Sequence, residues 1–289
     1  MICETDFEDI NEAKANLDHI YNQSDPRAYF RELKKFDYVI PEVAKPIFKK
    51  LIEALQQRRE NTIQVLDLGC SYGINAALLK HDLSMDELYD HWGQKTFSNA
   101  TSDAVIARDQ IYFADLKAPE DIGVVGFDVA QNATSYGEEV GLLDESFTVN
   151  LETELLSASA KEELALVDLV TSTGCVGYVT EKSFDRMLPA MGSGQMPWFA
   201  NFVCRMFPFD AIEECLDGWG YVTEKLQNRT FLQRRFASVH EQEQVIGQLR
   251  DQGVDPTGLE GEGDLLAEFY LSRPTAEAAA VPIERLLAV

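Results

Sequence analysis

The chain has 289 residues, of which 49 are acidic and 25 are basic, so its formal charge is −24. A surface of this sign repels phosphate backbones and anionic headgroups, which argues against nucleic acid and membranes as partners. Apolar residues make up 45% of the chain, enough for a sizeable core, and no apolar run reaches the roughly 18 residues of a membrane span. Acidic residues within Met1 to Asp9, where a signal peptide is basic, predict a cytoplasmic protein.

Five cysteines and four histidines are scattered along the chain. None of them shows Cys-x-x-Cys, His-x-x-x-His or a similar ligand spacing, so the sequence predicts free thiols and no metal site.

Residues 1–40 are predicted to form an N-terminal arm. It is rich in aromatic side chains, and it either acts as a lid over a site or packs on the body of the protein. Apolar residues recur at helical spacing from Val43 to Leu55, which predicts an amphipathic helix. A buried strand follows at Ile63–Leu68 and ends in a loop with Gly69 and Gly73, after which a helix begins.

Residues 81–121 interrupt the expected strand pattern and are predicted to form an inserted helical cap. Ser84 and Glu87 have the spacing of a capping box at a helix start, and Thr101 or Ser102 can cap a second helix. An insertion of this length is expected at the edge of the sheet where the strands end, where it would shape a site.

Six more strands are predicted after the cap, separated mainly by helices, at 123–128, 146–149, 164–172, 198–207, 231–237 and 265–272. Alternation of strands and helices favours a parallel, doubly wound α/β sheet, here a Rossmann-like sheet of seven strands. Residues 41–289 are accordingly interpreted as one α/β domain that contains the cap.

The loop after the first strand is open to three interpretations. A dinucleotide loop needs Gly-x-Gly-x-x-Gly and an acid about 20 residues later, but Ser71 and Ile74 stand at the second and third positions. The segment Gly69 to Gly73 also matches Gly-x-Ser-x-Gly, the elbow of serine hydrolases, with His240 as a late histidine. No oxyanion-hole segment precedes Ser71, so a hydrolase stays a remote alternative.

The third interpretation uses more of the chain. VLDLGCSYGINAALL at 65–79, GFDVAQNA at 126–133 and VDLVTSTG at 167–174 resemble the first, second and fourth motifs of class I S-adenosylmethionine-dependent methyltransferases. The resemblance covers roughly residues 40 to 272. It implies S-adenosyl-L-methionine as the cofactor, S-adenosyl-L-homocysteine as the product, and no metal.

The resemblance also implies the residues that bind the cofactor. Asp67 and the loop at Gly69, Ser71 and Gly73 would hold the methionine end, with the Tyr72 ring against the sulfonium. Ser71 replaces the middle glycine of the motif, which is acceptable if its backbone angles are ordinary.

On the nucleoside side, Asp128 would accept hydrogen bonds from the ribose hydroxyls, and Val129 or Phe127 would flank the adenine. A carboxylate at a strand end suits a cis-diol, although it also suits the cap of the next helix. Asn150 and Glu152 are the candidates near the adenine amine, with a surface charge as the alternative for Glu152. Thr171 belongs to the fourth motif.

Methyl transfer mainly requires that the acceptor be aligned, so a base is optional. The acceptor contacts implied by the resemblance are Thr173 and Tyr178, and Tyr21 and Tyr29 could close from the arm. The predicted function is methylation of a small-molecule acceptor. A cyclase or lyase that releases methylthioadenosine, and a non-catalytic binding protein, remain alternatives, and the oligomeric state is not predicted.

Overall fold

The computed structural model describes residues 18–117, 121–192 and 195–288. The first 17 residues of the predicted arm and residues 118–120 of the predicted cap therefore lie outside the described part of the chain.

The core of the protein is a mixed sheet of eight described strands. They are β1 (Ile63–Leu68), β2 (Ile122–Asp128), β3 (Glu145–Thr148), β4 (Leu169–Thr173), β5 (Trp198–Cys204), β6 (Tyr221–Lys225), β7 (Phe231–Arg235) and β8 (Asp264–Pro274). Their order is β3-β2-β1-β4-β5-β8-β6, and β1 to β5 are mutually parallel while β8 runs antiparallel to its neighbours. The chain leaves β1 towards β2 on one side and later returns as β4 on the other. A crevice is expected at such a switch point, outside the ends of the strands.

The predicted doubly wound α/β fold is confirmed, with one more strand than the seven predicted. The additional strand is β6, which pairs with residues 270–274 of β8, while β7 pairs with residues 264–267 of the same strand. β6 and β7 thus lie end to end along one edge, and the sheet is seven strands wide. The β-branched pair Val222 and Thr223 was not predicted to be a strand, because a helix ends just before it.

Thirteen α-helices are described around the sheet. They are α1 (Asp18–Tyr21), α2 (Arg27–Leu33), α3 (Ile40–Gln56), α4 (Ile74–Lys80), α5 (Met85–Gly93), α6 (Ser102–Asp115), α7 (Gln131–Glu139), α8 (Ala158–Leu164), α9 (Glu181–Met191), α10 (Asp210–Asp217), α11 (Val239–Asp251), α12 (Thr275–Ala280) and α13 (Ile283–Leu287). Successive residues of a strand face opposite sides. Val65 accordingly packs with α3 to α7 on one face, and Leu66 packs with α8 to α11 on the other.

The two cap helices begin where the sequence predicts. The Ser84 hydroxyl accepts the Glu87 N–H at 3.2 Å, and the Glu87 carboxylate accepts the Ser84 N–H at 2.8 Å, which completes a capping box at α5. The Thr101 hydroxyl caps α6 by accepting the Ala104 N–H at 3.3 Å. These bonds satisfy N–H groups that have no partner within the helix.

A buried polar cluster attaches the cap to the sheet domain. Asp109 of α6 is 0% exposed, and its Oδ1 lies 2.7 Å from His91 Nε2. Its Oδ2 accepts Trp92 Nε1–H at 3.0 Å and the Tyr136 hydroxyl of α7 at 2.6 Å. One carboxylate therefore holds both cap helices against the helix that follows β2.

The arm meets the cap at the turn between α5 and α6. The Asp25 carboxylate accepts from the Arg27 guanidinium at 2.7 and 2.8 Å and from the Ser102 hydroxyl at 2.7 Å.

Within the described ranges, no helix is both long and apolar enough to cross a bilayer.

Candidate functional site

The loop after β1 turns through three left-handed residues. Gly69, Ser71 and Gly73 have φ of +74°, +49° and +78°. A Cβ on Gly69 would lie 2.6 Å from the Cys175 Cβ, so only glycine fits there. A serine was expected to be acceptable at position 71 only if its backbone angles were ordinary. That expectation is wrong, because Ser71 has a left-handed backbone that a non-glycine residue rarely adopts.

Asp128, at the end of β2, holds this loop in place. Its Oδ2 accepts the Ser71 N–H at 2.9 Å, and its Oδ1 accepts the Ala130 N–H at 2.9 Å at the start of α7. Burial raises the pKa of this carboxyl. Because each carboxylate oxygen has two acceptor positions, Asp128 can support the loop and still accept hydrogen bonds from a ligand.

Asp67, near the end of β1, carries a buried oxygen to which no described residue forms a hydrogen bond. The residue is 1% exposed, and its Oδ1 accepts from Asn75 Nδ2 at 2.8 Å. Its Oδ2 is buried and has no hydrogen-bond partner among the described residues. Burial raises the pKa of Asp67 to about 7. An unsatisfied carboxylate oxygen is costly in a protein interior, and it suits a cationic group supplied by a ligand.

The end of β4 completes this polar group. The Thr171 hydroxyl is fully buried and lies 3.4 Å from Asp67 Oδ1, and it donates to the Leu66 carbonyl at 3.3 Å. Thr173 Oγ1 accepts from Asn75 Nδ2 at 3.2 Å. The structure thus brings Asp67, Thr171 and Thr173 together. Asn75, which was not predicted from the sequence, joins them.

The signal for Asn75 is present in the sequence. It is the one polar residue between Ile74 and Leu79, on a helix whose other side chains there are apolar and buried. A buried amide must find hydrogen-bond partners. The sequence does not show which partners the Asn75 amide finds, because Asp67 and Thr173 are brought next to it only by the fold.

The residues predicted to contact the adenine of the cofactor differ in their exposure and partners. Val129 is 64% exposed beside Asp128, so its side chain is available to an apolar ring. Glu152 is not a surface charge, because it is 5% exposed and accepts from the Thr180 N–H, the Thr180 hydroxyl and the Ser183 hydroxyl at 2.9, 2.8 and 2.6 Å. The Asn150 Oδ1 accepts the Glu152 N–H at 3.0 Å. These last two residues organise the start of α9.

The Tyr72 side chain faces the arm. Its hydroxyl accepts the Gln23 N–H at 2.8 Å and lies 3.1 Å from the Ile20 carbonyl. Its ring makes edge contacts with Tyr29 and Tyr136, each with centroids 5.7 Å apart. The predicted contact of this ring with a sulfonium therefore has no support in the geometry, since the ring is enclosed by other aromatic side chains.

The arm forms hydrogen bonds with two segments next to the crevice. Asn22 accepts the Asn132 N–H on its Oδ1 at 2.8 Å, and its carbonyl accepts from Asn132 Nδ2 at 2.9 Å. With the Tyr72 contact to Gln23, this joins the arm both to the loop after β1 and to the helix after β2. Tyr29 is a core residue at 2% exposure, with Tyr21 packed edge-on at 5.6 Å.

Tyr178 lies in the loop after β4. Its N–H donates to the Cys175 carbonyl at 3.1 Å, and the Cys175 thiol donates to the Leu68 carbonyl at 3.3 Å. The loop that carries Tyr178 therefore packs on the loop that follows β1.

A cavity of about 890 Å³ lies between the arm and the cap, with Gln23, Phe30 and Lys34 on the arm side and Tyr89 and Trp92 on the cap side. It does not include the glycine loop in its lining, and Gln23 is the residue that both borders the cavity and contacts Tyr72.

No cluster of three or more His, Cys, Asp or Glu suited to a metal ion is found among the described residues.

The geometry of Ser71 gives the hydrolase alternative no support. Its Oγ is buried and has no hydrogen-bond partner within the described residues. A serine nucleophile needs a base within hydrogen-bond reach.

Several solved structures are similar to this chain. BpumL, a plantazolicin methyltransferase in complex with a triazolic desmethylPZN analog and SAH, is 13% identical, with 94% of this chain and 100% of that chain covered and a TM-score of 0.44. A TehB-like SAM-dependent methyltransferase from Corynebacterium glutamicum is 13% identical over 76% of this chain and 86% of that chain, with a TM-score of 0.37. The cyclase SpnF is 11% identical over 78% and 80%, with a TM-score of 0.37.

No model of a protein family matches the chain, and no curated protein matches it. The doubly wound α/β sheet that the resemblance to class I S-adenosylmethionine-dependent methyltransferases implies is the sheet that the structure shows. At these identities and TM-scores the likeness extends no further and carries no information on the reaction.

Proposed function

We propose that this protein binds S-adenosyl-L-methionine in the crevice between β1, β2 and β4 and transfers its methyl group to a small-molecule acceptor. The observation that supports this most directly is the buried, unpartnered Oδ2 of Asp67, because it requires a donor that the described residues do not supply. The ammonium of the cofactor's methionine end is such a donor. When bound, the cofactor supplies a methyl group that is already activated by the adjacent sulfonium.

The other residues of the crevice have roles compatible with this ligand. Asp128 would accept the ribose hydroxyls while it holds the loop through Ser71, and Val129 would cover one face of the adenine. Thr171 and Thr173 would keep the Asp67 side of the crevice polar. Alignment of an acceptor is the main task left to the protein, since the carbon needs no further activation.

The proposed acceptor site is the cavity between the arm and the cap. Its volume of about 890 Å³ lies within the range of roughly 300 to 1,000 Å³ of small-molecule pockets. Gln23 borders this cavity and donates its N–H to the Tyr72 hydroxyl, so the lining of the cavity is one hydrogen bond away from the glycine loop. Tyr21, two residues before Gln23, and Tyr178, in the loop after β4, would supply acceptor contacts.

The proposal is tested by incubating the purified protein with methyl-labelled S-adenosyl-L-methionine and a panel of small-molecule acceptors. The expected products are a labelled acceptor and S-adenosyl-L-homocysteine, identified by mass spectrometry. Release of methylthioadenosine would instead support the cyclase or lyase alternative. Failure of either nucleoside to bind in calorimetry would contradict a cofactor site at β1.

Cofactor binding is expected to release protons through Asp67. The pKa of about 7 means that close to half of the free protein carries this proton at pH 7. A cation beside the carboxyl favours the charged form, so about half a proton should be released per ligand at this pH. The release should grow as the pH is lowered towards 6.

Calorimetry with S-adenosyl-L-homocysteine measures this release when it is repeated in phosphate and in Tris, whose ionisation enthalpies differ. Asp67→Asn is the control, because it retains the shape and cannot release the proton. Equal observed enthalpies in the two buffers for the parent protein would contradict the assignment.

A further inference from the structure

The amide of Asn75 connects the two sides of the crevice. Asn75 is the second residue of α4 and is 5% exposed. Its Nδ2 donates to Asp67 Oδ1 of β1 at 2.8 Å and to Thr173 Oγ1 of β4 at 3.2 Å. One amide nitrogen therefore uses both of its hydrogens on strands that flank the switch point.

We propose that Asn75 is a positioning residue that orients the Asp67 carboxylate so that its free oxygen faces the cofactor's ammonium, and that fixes Thr173 relative to it. The inference rests on the proposed function. It adds a residue to the site that the motif resemblance did not identify.

The orientation follows from the partners of the carboxylate. Asn75 binds Oδ1, the oxygen that also lies near Thr171, and Oδ2 has no partner within the described part of the chain. A carboxylate held at one oxygen by a donor on a helix cannot rotate freely, and it presents the other oxygen in a fixed direction.

The Asn75 bond also supports the charged form of Asp67. The titratable groups near this carboxyl are Asp128 of β2, Cys70 and Cys175 of the adjoining loops, and Tyr38 of the arm. Each of these carries negative charge or none, so none of them stabilises the carboxylate. Hydrogen bonds from Asn75 and Thr171 lower the pKa of Asp67 against the effect of burial. Loss of Asn75 should therefore raise that pKa further.

The test measures S-adenosyl-L-homocysteine affinity by calorimetry between pH 6 and pH 8.5 in the parent, Asn75→Ala and Asn75→Asp proteins. Asn75→Ala should weaken binding about tenfold at pH 7. The loss should shrink at high pH, where Asp67 is charged in both proteins, so the pH midpoint of binding moves upwards. Asn75→Asp keeps the shape but replaces the donor by an acid, and it should bind more weakly still at pH 7.

Lys80→Ala is the matched control, because Lys80 lies at the other end of α4 and pairs with Asp144 outside the site. A carbon-13 titration of Asp67 in the ligand-free proteins gives a second measurement, in which Asn75→Ala should raise the midpoint. Unchanged affinity and midpoint in a folded Asn75→Ala protein, or a loss that is equal at every pH, would overturn the inference alone. Absence of binding by the parent would overturn the proposed function as well.

Discussion

Asp128→Ala is expected to weaken S-adenosyl-L-homocysteine binding by about 100-fold or more, because two effects add. The substitution removes the proposed acceptor of the ribose hydroxyls. It also removes the partner of the Ser71 N–H, and that bond supports a serine held at φ +49°. A loop without this support has conformations that the cofactor does not fit, so the affinity falls further than for the loss of a ligand contact alone.

Calorimetry of the folded variant checks this expectation, and Asp144→Ala is its matched control. Asp144 also accepts a backbone N–H of β2, from Val124 at 2.6 Å, but at the opposite end of that strand. The control should lose similar stability and retain its affinity. If both variants bind as the parent does, Asp128 has only the helix-start role that the sequence left open for it.

Asp109→Ala is expected to reduce the free energy of unfolding by about 3–5 kcal/mol, the range for breaking a buried charged network. The substitution leaves the His91 imidazole, the Trp92 indole N–H and the Tyr136 hydroxyl without their shared acceptor in a site that is closed to water. It also opens a small cavity between the cap and α7. The cap should therefore loosen before the sheet unfolds.

Denaturant unfolding measures the change, and hydrogen exchange of α5 and α6 tests whether the cap opens first. Asp115→Ala, an exposed acid at the end of the same helix, should change the stability by no more than about 0.5 kcal/mol. Asp109→Asn keeps an acceptor oxygen and should be milder than Asp109→Ala. A loss below about 1 kcal/mol for Asp109→Ala would mean that the cluster adds little to the attachment of the cap.

Much of the fold was predictable because the signals are local. The apolar run at Ile63–Leu68 requires burial on both faces, which predicts a central parallel strand. The capping box at Ser84 and the cap at Thr101 depend on residues three apart, and both helices begin there. The division of the last edge into β6 and β7 was not predictable, because it depends on the length of β8, with which both strands pair.

The candidate site divides in the same way. Asp67, Gly69 and Asp128 could be proposed from the sequence because each stands where a strand ends, and the ends of parallel strands meet at one edge. Tyr72 and Glu152 were equally good candidates for cofactor binding from the sequence. The fold turns Tyr72 towards the arm and buries Glu152 at the start of α9, since their partners come from segments distant in sequence.

Spacing and hydrophobic pattern are enough to predict the doubly wound sheet, the glycine loop and the two acids at the ends of β1 and β2. Three features emerge only in the folded chain: Asn75 joins Asp67 to Thr173, Asp128 holds Ser71 in a left-handed conformation, and the arm contacts both the glycine loop and α7. Each of these includes a hydrogen bond between residues at least 49 positions apart, and such contacts form only when the whole chain has folded.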